Sequence, residues 1–70
     1  MDTVKKQKAI AQKVRRLISE SAFTNEDVAD LLGVSTRLIY YWQNGERVPN
    51  VKNLSRLSQL FNVYMESILG

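Results

Sequence analysis

The apolar residues of this chain recur at three- and four-residue intervals along most of its length. Ile10, Val14, Leu17 and Ile18, for example, follow the spacing of a single stripe along an α-helix. No run of four or more residues alternates between apolar and polar side chains as a half-buried strand would. The pattern therefore predicts an all-α fold, which helix start and stop signals divide into five helices.

The second predicted helix has the clearest boundary signals. Thr24 is a candidate N-cap, and Glu26 and Asp27 in the first turn suit the positive end of the helix dipole. Gly33 ends the helix, because glycine adopts a positive φ without steric cost. Its apolar side is expected to consist of Val28, Leu31 and Leu32.

The other helices have boundary signals of the same kinds. The first helix is expected to have a cap at Thr3 and to end near Ser21 or Ala22, and the third to have a cap at Ser35 and to stop at Asn44-Gly45. The fourth is expected to open at Pro49-Asn50 and to end at Asn62 in a left-handed conformation. A short fifth helix is expected over about 64–69.

The turn between the second and third helices is very short and is centred on Gly33. Such a turn makes the two helices cross steeply, at roughly 90–120°. A steep crossing needs a small residue at the contact, and Ala29 supplies it one turn before the glycine. Ile39 and Trp42 share one face of the third helix, so we expect both side chains to point inward.

The orientation of Trp42 determines what its neighbours face. Tyr41 lies about 100° and Tyr40 about 200° around the helix from the indole, so both tyrosines are expected to point outward. This outward face is expected to comprise Thr36, Arg37, Tyr40, Tyr41 and Asn44. It has no acidic residue, and two exposed tyrosines beside an arginine are typical of a contact surface.

Charge and composition narrow the function classes. Residues 1–16 contain six basic residues and one acidic residue, a net +5, whereas residues 17–70 have a net −2. The basic end is either a solvated helix face or a patch that binds a polyanion. There is no histidine, no cysteine and no glycine-rich phosphate loop, so we expect no enzyme, no metal site and no cofactor.

The chain also lacks membrane and secretion signals. No apolar run approaches the roughly 18 residues needed to span a bilayer, and no apolar segment follows the N-terminal charges. We therefore expect a cytoplasmic protein of one domain, since 70 residues are too few for two.

The segment FTNEDVADLLGVSTRLIYYWQNGERVPNVKNLSRLSQLFNV resembles the helix-turn-helix domain of phage Cro and repressor proteins and their bacterial relatives. The shared elements, in order and without gaps, are Thr24-Asn25-Glu26, Ala29, Gly33-Val34-Ser35, Ile39, Trp42, Asn44-Gly45, Pro49 and the ladder Leu54, Leu57, Phe61 and Val63. The resemblance covers about residues 13–69. It implies a five-helix, lambda-repressor-like domain over 13–70, with residues 1–12 as a basic N-terminal extension of the first helix.

The resemblance further implies that the third helix enters the major groove of double-stranded DNA. The implied base contacts are Thr36, Arg37 and Tyr41, flanked by Ser35 and Tyr40. The implied phosphate contacts are Asn25, Thr24, Asn44, Arg47, Lys5 and Lys6. The side-chain chemistry agrees, because the arginine fork matches guanine O6 and N7, and free amides at a helix start bind anions.

Several of these residues have an alternative role. Thr24 and Ser35 are helix caps first. Instead of contacting DNA, Tyr40 could cover the protein's own surface or touch a protein partner. Arg37 could simply be solvated, and Arg47 could form an ion pair with Glu46 or Glu20.

The chain departs from the family pattern at two places. Many relatives pair an arginine late in the first helix with a glutamate late in the third, and the matching positions here are Ile18 and Gln43. Because both partners are replaced, no buried charge is left unpaired.

Tyr64 stands where a serine often caps the fifth helix, so that helix is expected to fray or to begin later. The apolar side chains of Met65, Ile68 and Leu69 then belong either to the domain core or to a dimer contact.

Two functions from different classes fit these observations. The first is a sequence-specific transcription regulator, a small Cro-like repressor of phage or bacterial origin that binds a palindromic operator as a homodimer. No sensor or autocleavage module follows the domain in this sequence, which suits that function. The second is a protein-binding module, an antirepressor or antitoxin that docks on a partner protein. Binding to random duplex DNA at low salt distinguishes the two.

Deletion of residues 1–8 tests the basic extension, because it removes Lys5, Lys6 and Lys8. If these lysines neutralise phosphates, the truncated chain binds DNA more weakly, and its log–log salt slope is shallower by about 0.9 for each phosphate that is no longer neutralised. Titrations of duplex DNA over a range of salt concentrations measure both quantities. An unchanged affinity with an unchanged slope would rule out this role.

Overall fold

A computed structural model of the chain describes residues 3–69, and side chains from residue 7 onward. Over that range it contains five helices and no strand: α1 (Thr3–Ser19), α2 (Asn25–Leu32), α3 (Thr36–Asn44), α4 (Val51–Phe61) and α5 (Met65–Leu69). The predicted all-α, five-helix class is therefore confirmed. No helix in this range is long and apolar enough to cross a membrane.

The first helix ends slightly earlier than the sequence predicts, at Ser19. The cause is a local hydrogen-bonded turn around Ser21. Its hydroxyl donates to the Ile18 carbonyl at 2.7 Å, and its Oγ accepts the Phe23 amide at 3.0 Å. Ser21 thus offers the backbone an alternative to further helical bonds. The basic extension is helical from Thr3 onward and continuous with the rest of α1.

The predicted boundaries of α2 are confirmed. Thr24 Oγ1 accepts the Asp27 amide at 3.1 Å, and the Asp27 carboxylate accepts the Thr24 amide at 3.0 Å, which together form a capping box. At the other end Gly33 has φ 71°, and its amide points back to the carbonyls of Ala29 and Asp30. The turn that follows α2 therefore depends on a left-handed residue.

The caps predicted for α3 and α4 also match the sequence, whereas the predicted cap at Thr3 stays a prediction because the Thr3 side chain lies outside the described residues. Ser35 Oγ accepts the Leu38 amide at 3.2 Å at the start of α3, and Asn50 Oδ1 accepts the Asn53 amide at 2.8 Å at the start of α4. Asn62 ends α4 with φ 56°. The last helix begins after Tyr64, as the missing serine cap suggests.

The core lies between α3 and the helices on either side of it. Trp42 is 1% exposed and Ile39 is fully buried, so the predicted inward orientation of both is correct. Ala29 is also buried, and α3 packs against both α1 and α2. The other buried apolar residues are Ile10, Ala11, Val14, Ile18, Val28, Leu32, Leu54, Leu57 and Ile68.

One prediction about α2 is wrong. The sequence predicts Leu31 on the apolar side of this helix, but its side chain is 57% exposed. Val28, Ala29 and Leu32 define the buried direction, and Leu31 lies roughly 100° away from the middle of that arc. The burial of Ala29 turns the helix away from Leu31.

The last two helices close the open end of the core. Arg56 on α4 donates to the Leu32 carbonyl at 2.7 Å and so caps the C-terminal end of α2. Phe23 and Phe61 meet edge to face, with ring centroids 6.2 Å apart. In α5 Ile68 belongs to the core, whereas Leu69 stays 38% exposed.

Trp42→Ala is expected to unfold the domain. Truncation of a large buried aromatic costs about 3–5 kcal/mol, and a core in a chain of this size rarely supplies more than that. Urea unfolding followed by circular dichroism measures the effect. Tyr40→Ala is the matched control, because this neighbouring aromatic is 45% exposed and its loss should leave the fold intact. A Trp42 variant that unfolds cooperatively at nearly the wild-type urea midpoint would contradict the assignment.

Candidate nucleic-acid interface

The outward face of α3 is a polar and aromatic surface. Arg37, Tyr40 and Asn44 are exposed, and Thr36 and Tyr41 are half-buried. The predicted rotation is therefore confirmed for Trp42, which is buried, and for Tyr40, which is exposed, whereas Tyr41 is only partly open to solvent. The face holds hydrogen-bond donors, acceptors, rings and one guanidinium, and no carboxylate.

The start of this face is set by the turn that precedes it. Ser35 is exposed, and its hydroxyl oxygen is engaged as the α3 cap. Val34 packs half-buried against the core, and its amide donates to the Ala29 carbonyl at 2.9 Å. The first turn of α3 thus projects from a backbone that is bonded directly to α2.

The loop after α3 is wound around one carbonyl. Gly45 has φ 80°, and the Tyr41 carbonyl accepts the amides of Gly45, Glu46 and Arg47. The Arg47 guanidinium lies over the Tyr41 ring, 5.4 Å from its centroid, a cation–π arrangement. For Arg47 the sequence suggests phosphate contact or an ion pair with Glu46 or Glu20, and it does not indicate this contact with Tyr41.

A second polar region surrounds the start of α2. An open groove of about 460 Å³ is lined by Thr24, Asn25, Glu26, Gln43 and Arg15, among others. The Asp27 amide is taken by the cap, and the Val28 amide bonds the Thr24 carbonyl, so the amides of Asn25 and Glu26 at the helix start have no intrahelical acceptor. These amides and the helix dipole attract an anion, against the opposing charge of the Glu26 carboxylate.

A chain of hydrogen bonds links this groove to the end of α3. Gln43 Nε2 donates to Asn25 Oδ1 at 3.0 Å, and the Arg15 guanidinium donates to the Gln43 backbone carbonyl at 3.2 Å. Because the side-chain oxygen of Asn25 accepts this bond, the side-chain N–H groups of Asn25 are left to donate elsewhere. The two positions where many relatives have an ion pair are therefore filled differently: Ile18 is buried in the core, and Gln43 bonds to its neighbours without any charge of its own.

Arg15 is the residue of this region that sequence reasoning missed. It lines the groove and brings a positive charge beside the start of α2. Six basic residues fall within residues 1–16, and nothing in their spacing singles out Arg15. Its contact with Gln43 spans 28 positions of sequence, so it exists only in the folded chain.

The predicted residues form two groups in space. The first is the α3 face with its following loop, which holds the predicted base contacts together with Asn44 and Arg47. The second is the α2 start with Thr24 and Asn25, joined to the first through Gln43. The side chains of Lys5 and Lys6 lie outside the described residues.

Comparisons with known proteins agree with this geometry. A family model described as helix-turn-helix matches residues 12–68. The chain is 31% identical over 59 residues to the HTH-type transcriptional activator BcrR of Enterococcus faecalis, and the matched segment makes up 84% of this chain and 29% of BcrR.

The fold is similar to the solution structure of the SOS-response transcriptional repressor LexA from Eubacterium rectale. The TM-score is 0.91 with 21% identity, over 100% of this chain and 74% of that one. At this identity the likeness concerns the fold alone. The family match covers most of the chain, and on that basis the chain belongs to the Cro/C1-type helix-turn-helix family of DNA-binding transcription regulators, which are not enzymes.

Proposed function

We propose that this protein binds a specific duplex sequence through the major groove, with α3 as its recognition helix. The observation that carries the proposal is the composition of the outward α3 face, where an arginine and two tyrosines stand together without an acid. Thr36, Arg37 and Tyr41 contact base edges, and Ser35 and Tyr40 flank them. A face of this kind on the second helix of a helix-turn-helix is suited to direct base readout.

Phosphate contacts then hold α3 in the groove. The side-chain N–H of Asn25 donates to one phosphate oxygen, since the side-chain oxygen already accepts from Gln43. Thr24 contributes its hydroxyl hydrogen, and Asn44 and Arg47 follow the backbone on the far side of α3. We infer the same role for Lys5 and Lys6, on the basic extension formed by residues 1–12. These phosphate contacts position α3 on the DNA, whereas its sequence preference comes from the side chains that contact bases.

A homodimer on a palindromic operator is part of this proposal. Two recognition helices bind half-sites about 34 Å apart on one face of the DNA. Tyr64 is 83% exposed and Leu69 is 38% exposed, whereas Ile68 is committed to the core. We infer that the first two, at the C-terminal end of the domain over 13–70, supply apolar area for dimer contact.

We propose a repressor of the Cro type, of phage or bacterial origin, acting in the cytoplasm. A dimer that occupies an operator overlapping a promoter excludes the polymerase and needs no further surface for that effect. The relatives include both an activator and a repressor by name, so the sign of regulation is a proposal about this chain alone.

A protein-binding module remains the second candidate. The observation that favours it is two large exposed side chains outside α3, Leu31 at 57% and Tyr64 at 83%. In that function the same fold docks on a partner, as an antirepressor or an antitoxin would. Binding to DNA is then not expected, even at low salt.

Selection of bound duplexes from random DNA tests the proposal directly. We expect enrichment of a two-fold symmetric sequence, and weak binding to unselected duplex at low salt. The mass of the protein in solution, measured alongside, gives its oligomeric state. Absence of any duplex binding at low salt would reject DNA binding and favour the protein-binding module.

Arg37→Ala is expected to weaken binding to the selected sequence by about 1–3 kcal/mol and to relax preference at one base pair, because the variant cannot make a bidentate bond to guanine. Titrations of the selected duplex and its single-base variants measure both effects. Arg16→Ala is the control, since it removes the same charge from an exposed position on α1. If Arg37→Ala weakened binding to all duplexes equally, Arg37 would be a phosphate contact.

Gln43→Leu is expected to weaken binding to all duplexes by about 0.5–1.5 kcal/mol without altering base preference, because it frees the Asn25 carboxamide from its fixed orientation. Titrations of the selected duplex and its single-base variants, with Asn25→Ala and the double variant alongside, measure the effect. In the Asn25→Ala background Gln43→Leu should have no further effect. Additive losses would show that Gln43 does not act through Asn25.

A further inference from the structure

Arg47 is attached to Tyr41 twice, once through the backbone and once through the side chain. Its amide donates to the Tyr41 carbonyl at 3.3 Å, beside the Glu46 amide at 2.9 Å. Its guanidinium then returns over the Tyr41 ring at 5.4 Å. Arg47 in the loop and Tyr41 in α3 are therefore joined through both backbone and side chain.

This arrangement restricts the ring of Tyr41. The side chain is only half-buried, so part of its surface stays open to a ligand. A guanidinium whose carbon lies over one ring face disfavours rotation of the phenol to that side, while the guanidinium N–H groups stay available to an acceptor. The ring is thus oriented before any ligand arrives, which lowers the ordering cost of binding.

We propose that Arg47 is a positioning residue for base recognition. Its guanidinium, which lies over the Tyr41 ring, holds that ring in the orientation in which it meets a base, and its N–H groups bind a backbone phosphate at the same time. A loop residue that touches no base thereby sets sequence preference at the base pair facing Tyr41. The inference rests on the proposed function and assigns to Arg47 a task beyond phosphate attraction.

The two tasks of Arg47 need different chemistry. Attraction of a phosphate needs positive charge, which lysine also has. Stacking on a ring and bonding through the edge at once needs a planar, delocalised cation, which lysine lacks. Arg47→Lys therefore separates the two tasks, and Tyr41→Phe keeps the ring while it removes the hydroxyl.

The experiment uses the duplex selected by the wild-type protein and its three variants at the base pair where Tyr41→Leu relaxes preference. Dissociation constants for the four duplexes are measured for wild type, Arg47→Lys, Tyr41→Leu, Tyr41→Phe and the combinations of Arg47→Lys with each Tyr41 variant. A loss of folded protein scales binding to all four duplexes by one factor. The ratio between duplexes therefore reports base preference and not stability.

We expect Arg47→Lys to reduce discrimination at that base pair about two- to fivefold, the range that corresponds to a cation–π contact at an exposed site. The salt slope should stay unchanged, because the charge is kept. The effect should persist in the Tyr41→Phe background and vanish in the Tyr41→Leu background. Arg16→Lys, an exposed arginine on α1 changed in the same way, should alter neither quantity.

Two results would overturn the inference while leaving DNA binding intact. One is an Arg47→Lys variant in which the ratios between the four duplexes stay at their wild-type values, whatever the change in overall affinity, since Arg47 would then have no part in base preference. The other is a Tyr41→Leu variant that relaxes preference at no base pair, since Arg47 would then have no base reader to position. Failure of the wild-type protein to select any duplex would instead remove the proposed function itself.

Discussion

Burial of the inner face of α3 is the constraint on which the rest of this structure depends. Trp42 and Ile39 are almost completely removed from solvent between α1 and α2. A helix has only one rotation that buries both, so the same packing fixes which residues face outward. Ala29 and the left-handed Gly33 allow α2 to approach closely enough for this packing. The outward face of α3 is therefore a consequence of core packing.

Local bonds extend this rigidity from α3 to the segments around it. Tyr41 holds the following loop through its carbonyl and its ring, and Gln43 reaches across to Asn25 at the start of α2. Arg56 bonds the opposite end of α2 through the Leu32 carbonyl. Groups suited to phosphates and groups suited to bases are thus kept at fixed distances from each other. Such a fixed arrangement reduces the ordering needed on binding.

The positions of the charged residues matter more for attraction to a polyanion than the net charge of the protein does. Residues 17–70 carry a net −2, so attraction to a polyanion has to come from the N-terminal part and from a few arginines. Arg15 lies beside the α2 groove, and Arg37 and Arg47 lie on the α3 side. The acids of α2 stand in its first turn and along its exposed side, off the α3 face. The distribution favours one approach of DNA over others.

The sequence by itself determined the helix class, nearly every boundary, and the rotation of α3, because caps, left-handed stops and apolar spacing act over a few neighbouring residues. It did not determine that Leu31 is exposed, since the direction of burial of α2 depends on how closely Ala29 packs. It also could not reveal that Arg15 meets Gln43 or that Arg47 covers Tyr41. Long, flexible cations choose partners according to what folding brings within reach, and only the tertiary structure decides that.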